Sequence, residues 1–212
     1  MSLKRTLTSS VTILTAALML PGMAVADGAE RLTRMLKPLE TYSADFDQQI
    51  LDGSGQRLQR ASGRMWLSRP GRFRWEVNAP YEQVVVSDGD QVTLYDPDLQ
   101  QATVQPLDQR VTHTPALLLS GSASELTENY EVSSNQQGVA ETFTLVPTAA
   151  DTLFEELRLT FYSEELGFLE MTDSTGQRTA IEFDNVEQNG GVDASKFDFQ
   201  IPEGTDVIRQ SS

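Results

Sequence analysis

Nucleophilic, redox and metal chemistry in proteins leans on cysteine and histidine, and this sequence of 212 residues has no cysteine and one histidine, His113. Without thiols there is no disulfide, thiolate metal site, iron–sulfur ligation or cysteine nucleophile. A single imidazole cannot build a His-rich metal site, and a Ser-His-Asp triad would have to use His113, set in the threonine-rich stretch Thr112-His-Thr114. The acidic pairs Asp96/Asp98 and Glu155/Glu156 are of a type that binds calcium or serves a glycosidase, but they match no EF-hand loop. Solvated strand faces explain them better. No G-x-S-x-G elbow, Walker loop or G-x-G-x-x-G run occurs. Catalysis is the weakest reading, and neither cofactor nor metal is expected.

The cationic side chains carry a different signal. Arg57, Arg60, Arg64, Arg69, Arg72 and Arg74 fall in one short stretch free of Asp and Glu, although the chain's formal charge is −15. That acidity argues against non-specific binding to nucleic acid or anionic lipid. The uneven distribution suits orientation toward charged partners, while solvated strand faces are the plainer explanation.

The elements that would position these residues are mostly strands. Leu32, Met35, Leu36 and Leu39 form one apolar stripe at helical spacing, predicting a helix over Glu30–Leu39. Thereafter the period drops to two. Tyr42, Ala44 and Phe46 alternate with polar residues, and Asp52-Gly-Ser-Gly55 is a hairpin signal. Met65, Leu67 and Arg69 share one strand parity with Trp66 opposite; Pro70-Gly71 is where the register toward Phe73, Trp75 and Val77 could reset. Further strands are expected over 83–86, before the Asp88-Gly89 turn, then over 92–95, 130–133, 141–146, 156–162, 167–172 and 179–186. Closely spaced strands without helical crossovers imply an antiparallel meander in one domain. Thr114 and Pro115 open a short leucine-rich helix, and Ser122-Ala-Ser-Glu125 is a capping-box match for another turn. Such helices either plug a filled core or cap the mouth of a curved sheet.

The first 26 residues read as a cleaved secretory leader: basic Lys4 and Arg5, an apolar run from Val11 to Leu20, Pro21-Gly22, then Ala24-Val-Ala26. The run is too short to span a bilayer, and no cysteine stands at the cleavage site to carry a lipid. Residues 27–212 are then expected to form a single soluble domain outside the inner membrane.

One constellation goes further. Gly63-Arg-Met-Trp-Leu-Ser-Arg-Pro-Gly-Arg-Phe-Arg-Trp75, Val86-Ser-Asp-Gly89 and Leu94-Tyr-Asp-Pro97 resemble the periplasmic outer-membrane lipoprotein carrier family, LolA. The likeness runs on through Gln101-Ala-Thr103, Thr114-Pro115 and Gly191-Val-Asp-Ala-Ser-Lys-Phe197 to Pro202, nearly the whole mature chain. Arg69 to Trp75 is its most specific part. The resemblance implies an incomplete antiparallel barrel, or strongly curved sheet, with a helical lid over an apolar cavity. It implies a periplasmic carrier that takes acylated lipoprotein from an inner-membrane ABC transporter to an outer-membrane receptor.

In that likeness Arg69 matches the arginine that bonds lid carbonyls, around Leu117 to Ser120. Phe73 matches an aromatic position that matters for cargo and transporter. Met65, Leu67, Phe73, Trp75, Val85 and Leu94 would line the cavity, and Leu32, Met35, Leu36, Leu117, Leu118, Leu119 and Ser120 would form the lid. Ala116 is smaller than the residue expected there. A monomer without stable membrane insertion is the simplest form. A lipid-binding or lipoprotein-sensing module of the same fold, and a periplasmic hydrolase using His113, are the alternatives.

Overall fold

The computed structural model describes residues 23–107, 115–149, 152 and 154–210. The apolar run of the expected leader, His113 and the expected N-cap Thr114 lie outside them.

Period-two sequence becomes a twelve-stranded sheet. A first meander comprises β1 (Thr41–Leu51), β2 (Arg57–Ser68), β3 (Arg72–Ala79), β4 (Gln83–Asp88), β5 (Gln91–Asp96) and β6 (Gln101–Pro106). A second comprises β7 (Tyr130–Gln137), β8 (Ala140–Pro147), β9 (Glu156–Tyr162), β10 (Glu165–Thr172) and β11 (Arg178–Gln188). The two join where β1 pairs antiparallel with β11. The full order is β12-β6-β5-β4-β3-β2-β1-β11-β10-β9-β8-β7, with β12 (Asp206–Arg209) and β7 as edges. The curved sheet therefore stays open, an incomplete barrel.

Asp52 shows how the turns are written into the sequence. Its Oδ1 accepts the amides of Ser54 and Gln56, each at 2.9 Å, and the Ser54 hydroxyl at 2.7 Å. The Ser54 hydroxyl and these amides hold the Asp52 carboxyl below its usual range. Inside the sheet, residues of β1, β8, β9 and β11 meet in one apolar core that includes Ala44, Phe46, Phe143, Leu145, Leu159 and Ile181. Tyr42 crosses that core, its phenol donating to the Leu166 carbonyl at 2.7 Å. Burial pushes its pKa well up.

Both meanders are antiparallel throughout, and one short strand outside them, β12, adds parallel to β6. One expectation is corrected. The first helix, α1, is Met23–Leu36, so Leu39 is buried beyond its end rather than on its stripe. Pro38 explains the stop: it has no amide proton and disfavours helical backbone at Lys37. α1 packs on β7 and on α2 (Ala123–Glu128). Gly28 permits this approach, since a Cβ there would lie 2.9 Å from the Val132 carbonyl oxygen.

Candidate functional site

The hairpin of β2 and β3 keeps its parity through Pro70-Gly71. Ser68 pairs with Arg72, Leu67 with Phe73 and Met65 with Trp75, so the possible register reset does not occur. Trp75 pairs onward with Val85, and Val85 with Leu94. Met65, Leu67 and Phe73 are fully buried, Trp75 and Val85 nearly so, and Leu94 half-buried against the same core. Phe46 stacks on Trp75 with ring centroids 3.5 Å apart. Trp75 also borders a pocket of about 460 Å³ with a mixed lining, in which Val77 and Tyr81 stand with Gln48, Glu82 and Asp96. Trp66, opposite in parity, stands on the outer face beneath Lys196, 4.3 Å from its ring centroid.

Over this interior lie α1 and a 3-10 helix, Pro115–Ser120, which packs on β2 and β3. Leu32, Leu36, Leu119 and Ala116 are essentially without exposure, and Leu117 and Ser120 are buried. Met35 and Leu118 are half-buried at the flanks. Ala116 has no accessible surface at all, which is why a bulkier side chain does not stand there. The Ser120 hydroxyl turns back to the Leu117 carbonyl at 2.8 Å.

Arg69 sits just past the end of β2, in the turn, and reaches into this roof. Its Nε donates to the Leu119 carbonyl at 3.0 Å and its Nη1 to the Leu36 carbonyl at 2.7 Å. One guanidinium therefore ties both roof elements to the sheet. The turn adds a backbone bond, Gly71 N to the Ser120 carbonyl at 3.0 Å. Burial lowers the Arg69 pKa, but a guanidinium stays charged. Nη2 is enclosed and has no partner among the described residues.

The family resemblance points to the stretch around Leu117 to Ser120 as the partner of Arg69, and the bond to Leu36 comes in addition. A signal existed: a helix stopped by Pro38 must leave its last carbonyls without intrahelical partners. The other charged residues behave as strand-face groups. Arg60 pairs with Asp47, Arg64 with Asp45, and Arg74 with Glu76, so much of the arginine stretch is neutralised locally. Asp96 accepts the Leu99 amide in a turn, and Glu156 pairs with Arg158. Among the described residues no cluster of three or more His, Asp or Glu could hold a metal, and no helix is long and apolar enough to cross a membrane.

The fold and this tethered roof define a half-barrel class whose greasy interior is covered rather than sealed by the sheet itself. Within that class, residues 37–200 match the family described as "Outer membrane lipoprotein carrier protein LolA". A carrier protein of Chromohalobacter salexigens is 67% identical over 196 residues, 92% of this chain and 93% of that protein. One from Azotobacter vinelandii is 50% identical over 190 residues, 90% and 92% of the two chains. The chain belongs to the LolA family of outer-membrane lipoprotein carrier proteins. Its fold is also seen in an uncharacterised Thermus thermophilus protein, at 11% identity and a TM-score of 0.53, covering 87% of this chain and 99% of that one.

Proposed function

We propose that this protein is a soluble periplasmic chaperone that receives lipoproteins from an inner-membrane ABC transporter, shields their acyl chains in the half-barrel and passes them to an outer-membrane receptor. The observation that carries the reading is the Arg69 fork, spanning Leu36 and Leu119 over an interior of Met65, Leu67, Phe73 and Trp75.

The physics fits a carrier. Moving one methylene out of water gains about 0.8 kcal/mol, so a sixteen-carbon chain represents ~13 kcal/mol, and crossing the periplasm with that surface exposed is prohibitive. Transfer from bilayer to an apolar interior exchanges one oily surrounding for another, so the cargo can leave again. The empty protein then needs a roof that closes without cargo and yields to it. Arg69 suits that role because its bonds go to backbone carbonyls of the roof, which any roof sequence offers and which part when the roof lifts. On loading, acyl chains take the place of Leu32, Leu36 and Leu119 against the sheet.

Spheroplasts bearing newly made lipoproteins and a matched transporter test the reading. Added protein is expected to release lipoprotein into solution as a one-to-one complex and to deliver it to receptor-bearing outer membranes. Lipoprotein that stays in the membrane overturns the proposal. Binding of acylated peptide without transporter-dependent release points instead to a sensing or storage module.

A further inference from the structure

The inward row of β8 contains a residue that does not belong in an apolar core. Glu141, Phe143 and Leu145 share the buried parity of the strand, and Glu141 is only 7% exposed. A carboxylate removed from water is costly unless it is paired. Its partner comes from the roof: Arg31, on α1 one residue before the fully buried Leu32, forms an ion pair with the Glu141 carboxylate.

α1 is thereby held at two places by opposite walls. Arg69, from the turn after β2, grips the Leu36 carbonyl at the end of α1, and Glu141, from β8, grips Arg31 more than a turn earlier. The two grips differ in what they hold. Arg69 also binds the 3-10 helix, whereas Glu141 acts on α1 alone. Beside the ion pair lies a pocket of about 520 Å³ with a mixed lining, in which Met35, Val139 and Phe161 stand among polar groups that include Arg31, Glu141 and Glu164.

We infer that the Arg31–Glu141 pair is a second latch, a positioning pair that ties α1, which packs on the edge strand β7, across to β8 and sets how readily the roof opens on that side. The inference rests on the roof being a lid, as proposed above. With the pair broken, α1 pivots away from the β7–β8 end of the sheet about its Arg69-bound end, and the pocket beside Met35 and Phe161 becomes continuous with the interior. The 3-10 helix stays tied to Arg69.

Hydrogen exchange of the whole protein, with an apolar fluorescent dye as the interior probe, tests this without cargo or transporter. Glu141→Gln keeps the shape of the side chain and removes its charge. It is expected to speed exchange of the α1 amides about tenfold, equivalent to ~1.4 kcal/mol, and to raise dye binding. Exchange in Pro115–Ser120 and in the sheet stays as in the parent. The charge swap Arg31→Glu with Glu141→Arg is expected to restore slow α1 exchange, which a mere packing defect would not allow.

Should Glu141→Gln fold poorly, Arg31→Gln reads the same latch from the more exposed partner. Faster exchange throughout the sheet, or unchanged α1 exchange in both single variants, overturns the inference. Arg69→Lys, measured in parallel, separates the two readings: if it loosens the roof while the Glu141 and Arg31 variants do not, only the second latch fails. If none of them does, the lid itself fails.

Discussion

At the scale of single residues, the proposed latch rests on the geometry of one guanidinium. Arginine presents its donors in a rigid planar fork, and here two of them reach carbonyls on separate elements. Lysine retains the charge but offers a compact ammonium that cannot span Leu36 and Leu119 together. Losing one charge-assisted bond costs about 1.5–3 kcal/mol, so Arg69→Lys is expected to raise the open population at least tenfold. The check is faster amide exchange in both Pro115–Ser120 and the last turn of α1, together with impaired lipoprotein release and handover. Unchanged exchange and handover would remove Arg69 from the mechanism. The choice of Arg69 and of the stretch around Leu117 to Ser120 comes from the family resemblance that the motif around Pro70 carries. The Leu36 bond does not, because it depends on where Pro38 brings the helix end in space.

At the scale of elements, what matters is that the β2–β3 hairpin keeps register, since every interior side chain it carries would otherwise turn outward. Gly63 guards this at the point where the pairing shifts next to Ser62. A Cβ there would lie 1.8 Å from the Glu76 carbonyl oxygen and 2.8 Å from Phe46 Cζ, with Phe46 in turn stacked on Trp75. The backbone cannot give way without breaking the ladder. Gly63→Ala is therefore expected to destabilise the fold by about 3 kcal/mol. Denaturant unfolding checks it, as a lower midpoint with unchanged slope. A loss below ~0.5 kcal/mol would show that the strand is free to shift. The helices teach a different lesson: the stripe of Leu32 and Leu36 announces α1, but not its extent, and the buried parity of Glu141 makes sense only once α1 brings Arg31 to it.

At the scale of the whole molecule, two tryptophans report on opposite faces of the sheet. Trp66 lies outside under Lys196, and Trp75 lies inside against Phe46. Trp66→Phe leaves an interior reporter. Loading with a palmitoylated lipopeptide is expected to shift Trp75 emission, as acyl chains replace roof side chains around it. A non-acylated peptide of the same sequence is expected to leave it unchanged. Equal responses to the two peptides would place the cargo elsewhere. Half of the arginine stretch, which in sequence looks like a one-sided charge, is paired with Asp45, Asp47 and Glu76. The acidic balance of the chain thus reaches its surface less interrupted than the sequence suggests.

The sequence by itself determined the alternation of the long strands, the Asp52 and Asp88 turns, the apolar stripe of α1 and, through the Arg69–Trp75 motif, the family. All of these are local, set by side-chain period, glycine and proline conformations and a short signature. The tertiary structure alone decided that β12 runs parallel to β6, that Leu36 shares Arg69 with Leu119, and that Glu141 meets Arg31. Those pairings join residues far apart in the chain. Which distant carbonyl or cation satisfies a buried polar group is fixed by the packing of the elements, and no local pattern encodes it.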